Sequence, residues 1–379
     1  MDFNLKNYNI RLVFYCIVLN IVGVFFVASA SSFTARILTR QIAGSFASFG
    51  ICIFLSLIDY RTIIKFSRAI YIFSIVILAT VLVYGTAFGK NAVRWIEVPF
   101  VGQVQPAEFL KFAIIIFMAD FLSKKDKYIN NFSSIMQMIM YFSIPTLLVL
   151  VQPNLSSVII ISTIVLCMFL VSKIEGKIIA YSFIVVAVII ISFMLLVKSG
   201  LARKIPGIKS YQIERVETFL DPDANSEGNY QQENSVTAIG SGGLTGKGYN
   251  NQSTLSVKDA GWLSEQTNDF IFAVVGEEIG FRGSFFIILL FILLVVECFL
   301  IAFHQRDESA KYICVGVGSW IGFQAFINIG VAIRLVPNTG VPLPFFSQGL
   351  SSLLSIYLGI GVVLNISSNT RVYRTTGGY

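Results

Sequence analysis

Three acidic side chains lie at the start of a long apolar run in the second half of the chain. In SEQTNDFIFAVVGEEIGF, residues 264–281, Asp269 directly precedes the apolar residues, and Glu277 and Glu278 follow two turns later. A carboxylate near hydrocarbon is energetically unfavourable unless it is paired. An acid found there is therefore a candidate functional residue. Partial desolvation raises the pKa of a carboxyl group and makes it a better base, so Asp269 is a candidate general base.

Each of these acids also has a structural interpretation. An Asp before a helix can cap its first N–H groups, so Asp269 is either a base or a helix cap. Glu278 and Arg282 stand at i,i+4, which predicts an ion pair on a helix surface. Glu108 and Lys111 stand at i,i+3 at the start of another apolar run. This spacing fits either a local ion pair or a functional ion pair at membrane depth.

Two further stretches carry residues suited to a phosphorylated or sugar ligand. Arg94 could bind a phosphate, and Trp95 could stack on a sugar or lie at a membrane interface. The glycine-rich stretch 240–248 permits close approach of the backbone to a ligand, or is a flexible loop. Its GLTGKG segment lacks the spacing of a phosphate-binding P-loop.

The elements that must position these residues are apolar. Of the 379 residues, 55% are hydrophobic and 13% are charged, about half the charge of a soluble domain. Long apolar runs predict an all-α, polytopic membrane protein with a single domain over residues 1–379. The predicted spans are 10–32, 41–58, 69–88, 106–122, 136–152, 154–172, 178–197, 270–303, 312–334 and 345–366.

The loop charges predict an orientation. Short loops on one side of the ten spans carry fourteen Lys and Arg and those on the other side carry five, which places both termini in the cytoplasm. The large loop 198–268, between the seventh and eighth spans, is then extracytoplasmic. The net charge of +7 is accounted for by this asymmetry, and we expect no nucleic-acid binding.

Four polar stretches then meet the outer ends of the spans. They are 91–112, 152–154, the loop ending at Asp269, and 337–352. Together they could line one outward-facing cavity, where polar groups at membrane depth are tolerated. The single histidine, His304, lies on the cytoplasmic side and the five cysteines fall inside apolar runs. This excludes Ser–His–Asp and Cys–His catalysis and a histidine-rich zinc site at the outer face.

Six ordered motifs resemble those of the SEDS family (shape, elongation, division and sporulation), to which RodA and FtsW belong. They are RWI with QPAEFLKF, QPN, YQIERVETFLDPD, GSGGLTGKG, TNDFIFAVVGEEIGFRG and PNTGVPLPFFSQGLSS. The chain departs from the family pattern at Asn91, Ala107, Asn154, Ser264, Gln348 and Leu350. In particular, Asn154 stands where the family has Asp, which removes one carboxylate from the outer face.

The resemblance implies a peptidoglycan glycosyltransferase of the bacterial cytoplasmic (inner) membrane, acting in cell elongation, shape maintenance or division. Its substrate would be lipid II, a disaccharide-pentapeptide on undecaprenyl pyrophosphate. Its partner would be a class B penicillin-binding protein, a transpeptidase. Asp269 matches the family's proposed catalytic acid, and GKG in the loop favours the RodA branch. The expected substrate-binding residues are Arg94, Trp95, Gln105, Glu108, Lys111, Gln152, Lys247, Glu265, Ser347 and Gln348.

Other functions and requirements stay open at this point. A lipid II flippase or other transporter would use similar groups, but such folds usually show internal repeats, and none is visible here. A non-catalytic scaffold of a synthase complex is a third possibility. No resident cofactor or metal site is expected, although Mg²⁺ or Mn²⁺ could accompany the pyrophosphate.

Overall fold

The chain folds into a bundle of helices. The computed structural model describes residues 8–85, 94–98, 102–152, 154–204, 210–220, 226–251, 256–258, 260–263 and 265–370. The helices within these residues are α1 Ile10–Ala30, α2 Ala35–Ser56, α3 Tyr60–Lys65, α4 Ser67–Tyr84, α5 Pro106–Lys125, α6 Phe132–Val151, α7 Leu155–Val171, α8 Gly176–Lys198, α9 Ser210–Leu220, α10 Ser226–Ser241, α11 Ile271–Phe303, α12 Glu308–Ala332 and α13 Leu350–Thr370. A short antiparallel hairpin pairs β1 Ile96–Val98 with β2 Gly102–Val104.

The ten predicted spans each coincide with a helix. Seven described helices are long and apolar enough to cross a membrane, namely α1, α2, α4, α6, α11, α12 and α13. The other three predicted spans correspond to α5, α7 and α8. The predicted all-α membrane fold is confirmed, as expected where every backbone group must be hydrogen-bonded inside lipid.

The helices α12 and α13 form the centre of the bundle. In their apolar spans 78% and 83% of residues are buried, against 22% in α2 and in α4. The side chains of Trp320 and Tyr357 are fully buried there. Outer helices instead expose apolar side chains on the bundle surface, such as Phe183 and Ile184 of α8, as expected of helices that face hydrocarbon. The central helices are therefore the rigid support for whatever lies at their ends.

The predicted large loop contains two helices that the sequence analysis did not anticipate, α9 and α10. Helix α10 packs over the end of α12. The Gln232 amide donates to the main-chain oxygens of Val331 and Val336, both at 3.0 Å, and Ser235 Oγ donates to Ala332 O at 2.7 Å. This part of the loop is therefore fixed to the bundle.

Helix α11, 33 residues long, is broken at Gly280, whose φ is 64°. The glycine-rich loop fills the break: Lys247 N donates to Glu277 O at 2.9 Å, and Phe281 N donates to Gly243 O at 2.8 Å. A Cβ at Gly246 would overlap the main-chain oxygen of Glu278, so this approach needs glycine. The predicted single long span is thus two segments, and the first, residues 271–278, is buried.

Candidate active site

One cavity of about 410 Å³ lies at the end of the bundle where α2, α5 and α7 begin. All four polar stretches predicted to meet at the outer face contribute to its lining. The predicted site residues that line it are Arg94, Trp95, Gln105, Glu108, Lys111, Glu265, Asp269 and Gln348. These residues come from three separate stretches of the chain, 94–111, 265–269 and 348, and the tertiary structure brings them together.

Asp269 lies just outside α11. The helix begins at Ile271 and Phe270 takes the N-cap position, so Asp269 precedes the N-cap by one residue. Its carboxylate lies beside Gly340. A Cβ added to Gly340 would lie 3.2 Å from Asp269 Oδ2 and 3.9 Å from Nη1 of Arg215. A carboxylate and a guanidinium therefore border the same small space.

The backbone that carries Asp269 is fixed from two directions. Asn328 of α12 is buried, and its Nδ2 donates to Asp269 O at 2.8 Å and to Val341 O at 2.7 Å. The backbone N–H of Gln348 donates to Thr267 O at 2.9 Å. These bonds hold the acid-bearing loop against the 337–352 block and fix the backbone from which the carboxylate projects.

The Glu108–Lys111 pair is a buried ion pair in the cavity wall. Lys111 Nζ lies 2.6 Å from Glu108 Oε1, and the two side chains are 1% and 3% exposed. Lys111 Nζ also donates to Gln324 Oε1 at 3.1 Å and lies 5.6 Å from the Trp320 ring centroid. The pair is thus both a local i,i+3 contact and part of the candidate site.

The hairpin explains how Arg94 and Trp95 reach the cavity. The register pairs Ile96 with Val104, so Trp95 is brought back towards Gln105 at the start of α5. The backbone N–H of Gln105 donates to Ser351 Oγ at 3.1 Å, which ties the hairpin to α13. The hairpin therefore forms one wall of the cavity.

Three arginines from distant elements line this cavity: Arg40 of α2, Arg94 before β1, and Arg215 of α9. With Lys111, which is paired with Glu108, they give the lining four cations against the three acids Glu108, Glu265 and Asp269. Guanidinium groups bind phosphate oxygens in a planar, bidentate geometry. The cavity can therefore hold an anionic ligand beside a carboxylate that can accept a proton.

Three predicted site residues do not line the cavity. Gln152 donates from its buried amide to Leu78 O at 2.8 Å. Ser347 Oγ donates to Asn268 O at 2.7 Å, so it holds the loop before Asp269. Lys247 lies 2.7 Å from Glu277 Oε1. Their observed contacts are with the protein's own groups.

Glu277 and Glu278 belong to a separate buried cluster at the break in α11. Glu277 accepts from Lys247 Nζ and, at 2.8 Å, from Val257 N. Glu278 pairs with Lys258 Nζ at 3.0 Å, with side chains 4% and 1% exposed, and accepts a hydrogen bond from Ser29 Oγ. The predicted Glu278–Arg282 pair is wrong, because the break at Gly280 lies between them and Glu278 pairs with the loop instead.

Comparison with known proteins identifies the family. Residues 10–372 match the FtsW/RodA/SpoVE family model of cell cycle proteins. The chain belongs to the FtsW/RodA/SpoVE family. It is 32% identical to a probable peptidoglycan glycosyltransferase FtsW of Bacillus subtilis, over 96% of this chain and 91% of the relative. It is also 34% identical to the stage V sporulation protein E of the same organism, over 86% of both chains.

Solved structures of similar proteins share the fold. A chain of a peptidoglycan synthase complex that coordinates polymerization and crosslinking superposes with a TM-score of 0.79 at 25% identity, covering 96% of this chain and 98% of that chain. The rod shape determining protein RodA of Thermus thermophilus superposes with a TM-score of 0.69 at 24% identity, covering 95% and 96%. The SEDS resemblance is thereby confirmed, while the RodA branch stays a prediction.

Within this FtsW/RodA/SpoVE chain, sequence reasoning missed several site residues. Arg40 and Gln41 of α2 line the cavity. Gln324 and Asn328, one turn apart on α12, lie outside its lining and form hydrogen bonds with Lys111 and with the main chain of Asp269. A buried amide inside an apolar span was the available signal for Gln324 and Asn328. Of the departures from the family motifs, Asn154, Gln348 and Leu350 line the cavity, Ala107 is buried in α5, and Asn91 and Ser264 lie outside the described residues.

Proposed function

We propose that this chain is a peptidoglycan glycosyltransferase that polymerises lipid II, with Asp269 as its general base. The observation that carries the proposal is that Asp269 shares one cavity with Arg40, Arg94, Arg215 and Lys111 at the end of a membrane bundle. A lipid-linked sugar diphosphate needs these groups together at a membrane surface. The names of the curated relatives support the same activity.

The proposed reaction is a single displacement. Asp269 takes the proton of the acceptor hydroxyl as its oxygen bonds to the anomeric carbon of the donor. The bond from that carbon to the diphosphate breaks, and the electron pair leaves with undecaprenyl diphosphate. The arginines and Lys111 stabilise the charge on this leaving group. One inversion converts the α-linked donor into a β-linked strand, so one carboxylate is sufficient.

The proposal extends to the partner, the orientation and the cation. The similar peptidoglycan synthase complex supports a class B penicillin-binding protein as the crosslinking partner of this chain. The loop charges support cytoplasmic termini.

Among the residues that the structure describes, no three His, Cys, Asp or Glu side chains form a metal-binding group. We propose that any Mg²⁺ or Mn²⁺ is carried by the substrate diphosphate.

The test is to incubate the purified full-length protein with lipid II and separate the products on a gel. A ladder of glycan strands is expected. A flippase would instead move labelled lipid II across a proteoliposome bilayer and form no ladder. Transport without polymerisation, with or without the partner protein present, would overturn the proposal.

A further inference from the structure

The cavity wall contains buried polar atoms with unused hydrogen-bonding capacity. Both side-chain polar atoms of Gln41, Oε2 of Glu108 and Nδ2 of Asn154 have no hydrogen-bond partner among the described parts of the chain. The three side chains are 1%, 3% and 3% exposed, and all three line the cavity. Buried polar groups in folded proteins are nearly always paired, so these atoms point to a ligand.

Local structure fixes which atoms are available. The Oδ1 of Asn154 accepts from Ser157 N at 3.3 Å at the start of α7, which leaves its amide N–H groups as donors. Glu108 Oε1 is engaged by Lys111, which leaves Oε2 as an acceptor. Gln41 supplies a donor and an acceptor. The wall therefore presents both donors and acceptors.

This mixture does not suit a diphosphate. Diphosphate oxygens accept hydrogen bonds and cannot donate to Gln41 Oε1 or to the carboxylate oxygen of Glu108. The arginines in the same cavity suit the diphosphate better. A ligand group that both donates and accepts, such as a sugar hydroxyl or an acetamido group, matches the three side chains. The amides of the substrate's peptide share this chemistry.

We propose that Gln41, Asn154 and Glu108 Oε2 form a subsite for the uncharged sugar part of the lipid-linked substrate. This inference rests on the proposed function. We favour the sugar over the peptide because the sugar is joined directly to the diphosphate, and the arginines of the same cavity suit that group. Asn154 contributes N–H donors to this wall, which makes the subsite complementary to a hydroxyl or acetamido oxygen.

The test measures equilibrium binding of three probes to the purified full-length protein in detergent. The first is undecaprenyl diphosphate, the second is the same carrier with the disaccharide, and the third carries the disaccharide-pentapeptide. In the last two a methylene group replaces the anomeric oxygen so that no sugar can be transferred. Binding is thus measured independently of polymerisation, and a failure of the proposed activity is seen separately as the absence of a ladder from lipid II.

The variants are Gln41→Met, which keeps length without the amide, and Asn154→Ser, which can still cap α7. Each should weaken binding of both sugar-bearing probes by about 3- to 30-fold, the loss of one or two hydrogen bonds, and leave undecaprenyl diphosphate unchanged. The control is Asn20→Ser, at a buried amide that donates to Tyr357 OH at 2.7 Å outside the cavity lining. It should change no probe's affinity.

Each other outcome overturns the inference. Equal loss of affinity for all three probes would show that the residues bind the diphosphate or are needed for correct folding. Loss for the pentapeptide probe alone would assign the subsite to the peptide. Unchanged binding of all three probes would show that Gln41 and Asn154 contact no part of the substrate.

Discussion

The side-chain amide of Asn328 donates to the main-chain carbonyl of Asp269 at 2.8 Å, and its second N–H donates to that of Val341 at 2.7 Å. One side chain of a central helix therefore holds the candidate base and the C-terminal block together. Because α12 is among the most buried helices, the carboxylate is positioned by a rigid element although it lies in a loop.

Replacing Asn328 with Leu should lower kcat for lipid II polymerisation more than it raises KM. The variant keeps similar volume but leaves two carbonyls without their donor, so the Asp269 loop can shift, and misplacement of a catalytic group costs about 10- to 100-fold in rate. The control is Asn365→Leu, at a buried amide that donates to Ser56 O at 2.9 Å. Both variants should lose about 1–3 kcal/mol of stability, and equal kcat values for the two would contradict a positioning role.

Asp269→Asn should fold, reach the membrane and bind the partner protein, yet polymerise lipid II about 10²- to 10⁴-fold more slowly than wild type. The amide keeps the size of the side chain but cannot accept the acceptor's proton. Asp120→Asn makes the same change at the opposite end of α5, where Asp120 accepts from Ser67 Oγ at 2.8 Å, and should retain activity. A near wild-type glycan ladder from Asp269→Asn would contradict the assignment of Asp269 as the general base.

Lys111→Ala should abolish activity and lower thermal stability. It leaves the Glu108 carboxylate, only 3% exposed, without its counter-charge, and an uncompensated buried charge costs about 3–5 kcal/mol. Adding Glu108→Gln should recover much of the stability, measured by thermal unfolding in detergent, without recovering polymerisation. Full activity of Lys111→Ala would show that this pair has no role in the reaction.

Lys258→Met should loosen the glycine-rich loop at the break in α11. Lys258 is the buried partner of Glu278, at 3.0 Å, and joins the loop to Ser29 of α1. Hydrogen exchange of residues 242–251 should accelerate, while exchange in α12 should not change. The double variant Lys258→Met with Glu278→Gln should exchange more slowly than Lys258→Met alone, because no charge is left unpaired. Unchanged protection in Lys258→Met would contradict an anchoring role.

Cysteine labelling of intact cells tests the orientation. Asn251→Cys, in the large loop, should react with an impermeant maleimide, and Lys125→Cys, at the end of α5, should react only after the cells are opened. Four of the five native cysteines are buried, and Cys167 is partly buried, so a variant without added cysteine provides the background. Labelling of Lys125→Cys but not Asn251→Cys in intact cells would invert the proposed topology.

The sequence by itself determined the class of fold and the regions of the site. Apolar runs of bilayer length leave few structures other than membrane helices, because unpaired backbone groups are not tolerated in hydrocarbon. Polar stretches at corresponding ends of these runs indicated a shared cavity. The SEDS resemblance was carried by ordered motifs, and the family match over residues 10–372 confirms it.

The tertiary structure decided which polar residues share the site. Sequence spacing predicted a Glu278–Arg282 pair, but a positive φ at Gly280 breaks the helix, and Lys258, twenty residues earlier in the chain, pairs with Glu278 instead. Likewise Gln41, Arg215 and Asn328 lie in three helices far apart in sequence, and no local pattern relates them to Asp269. Local periodicity reports on neighbours three or four residues away, whereas a cavity at the ends of many helices depends on long-range packing that periodicity does not encode.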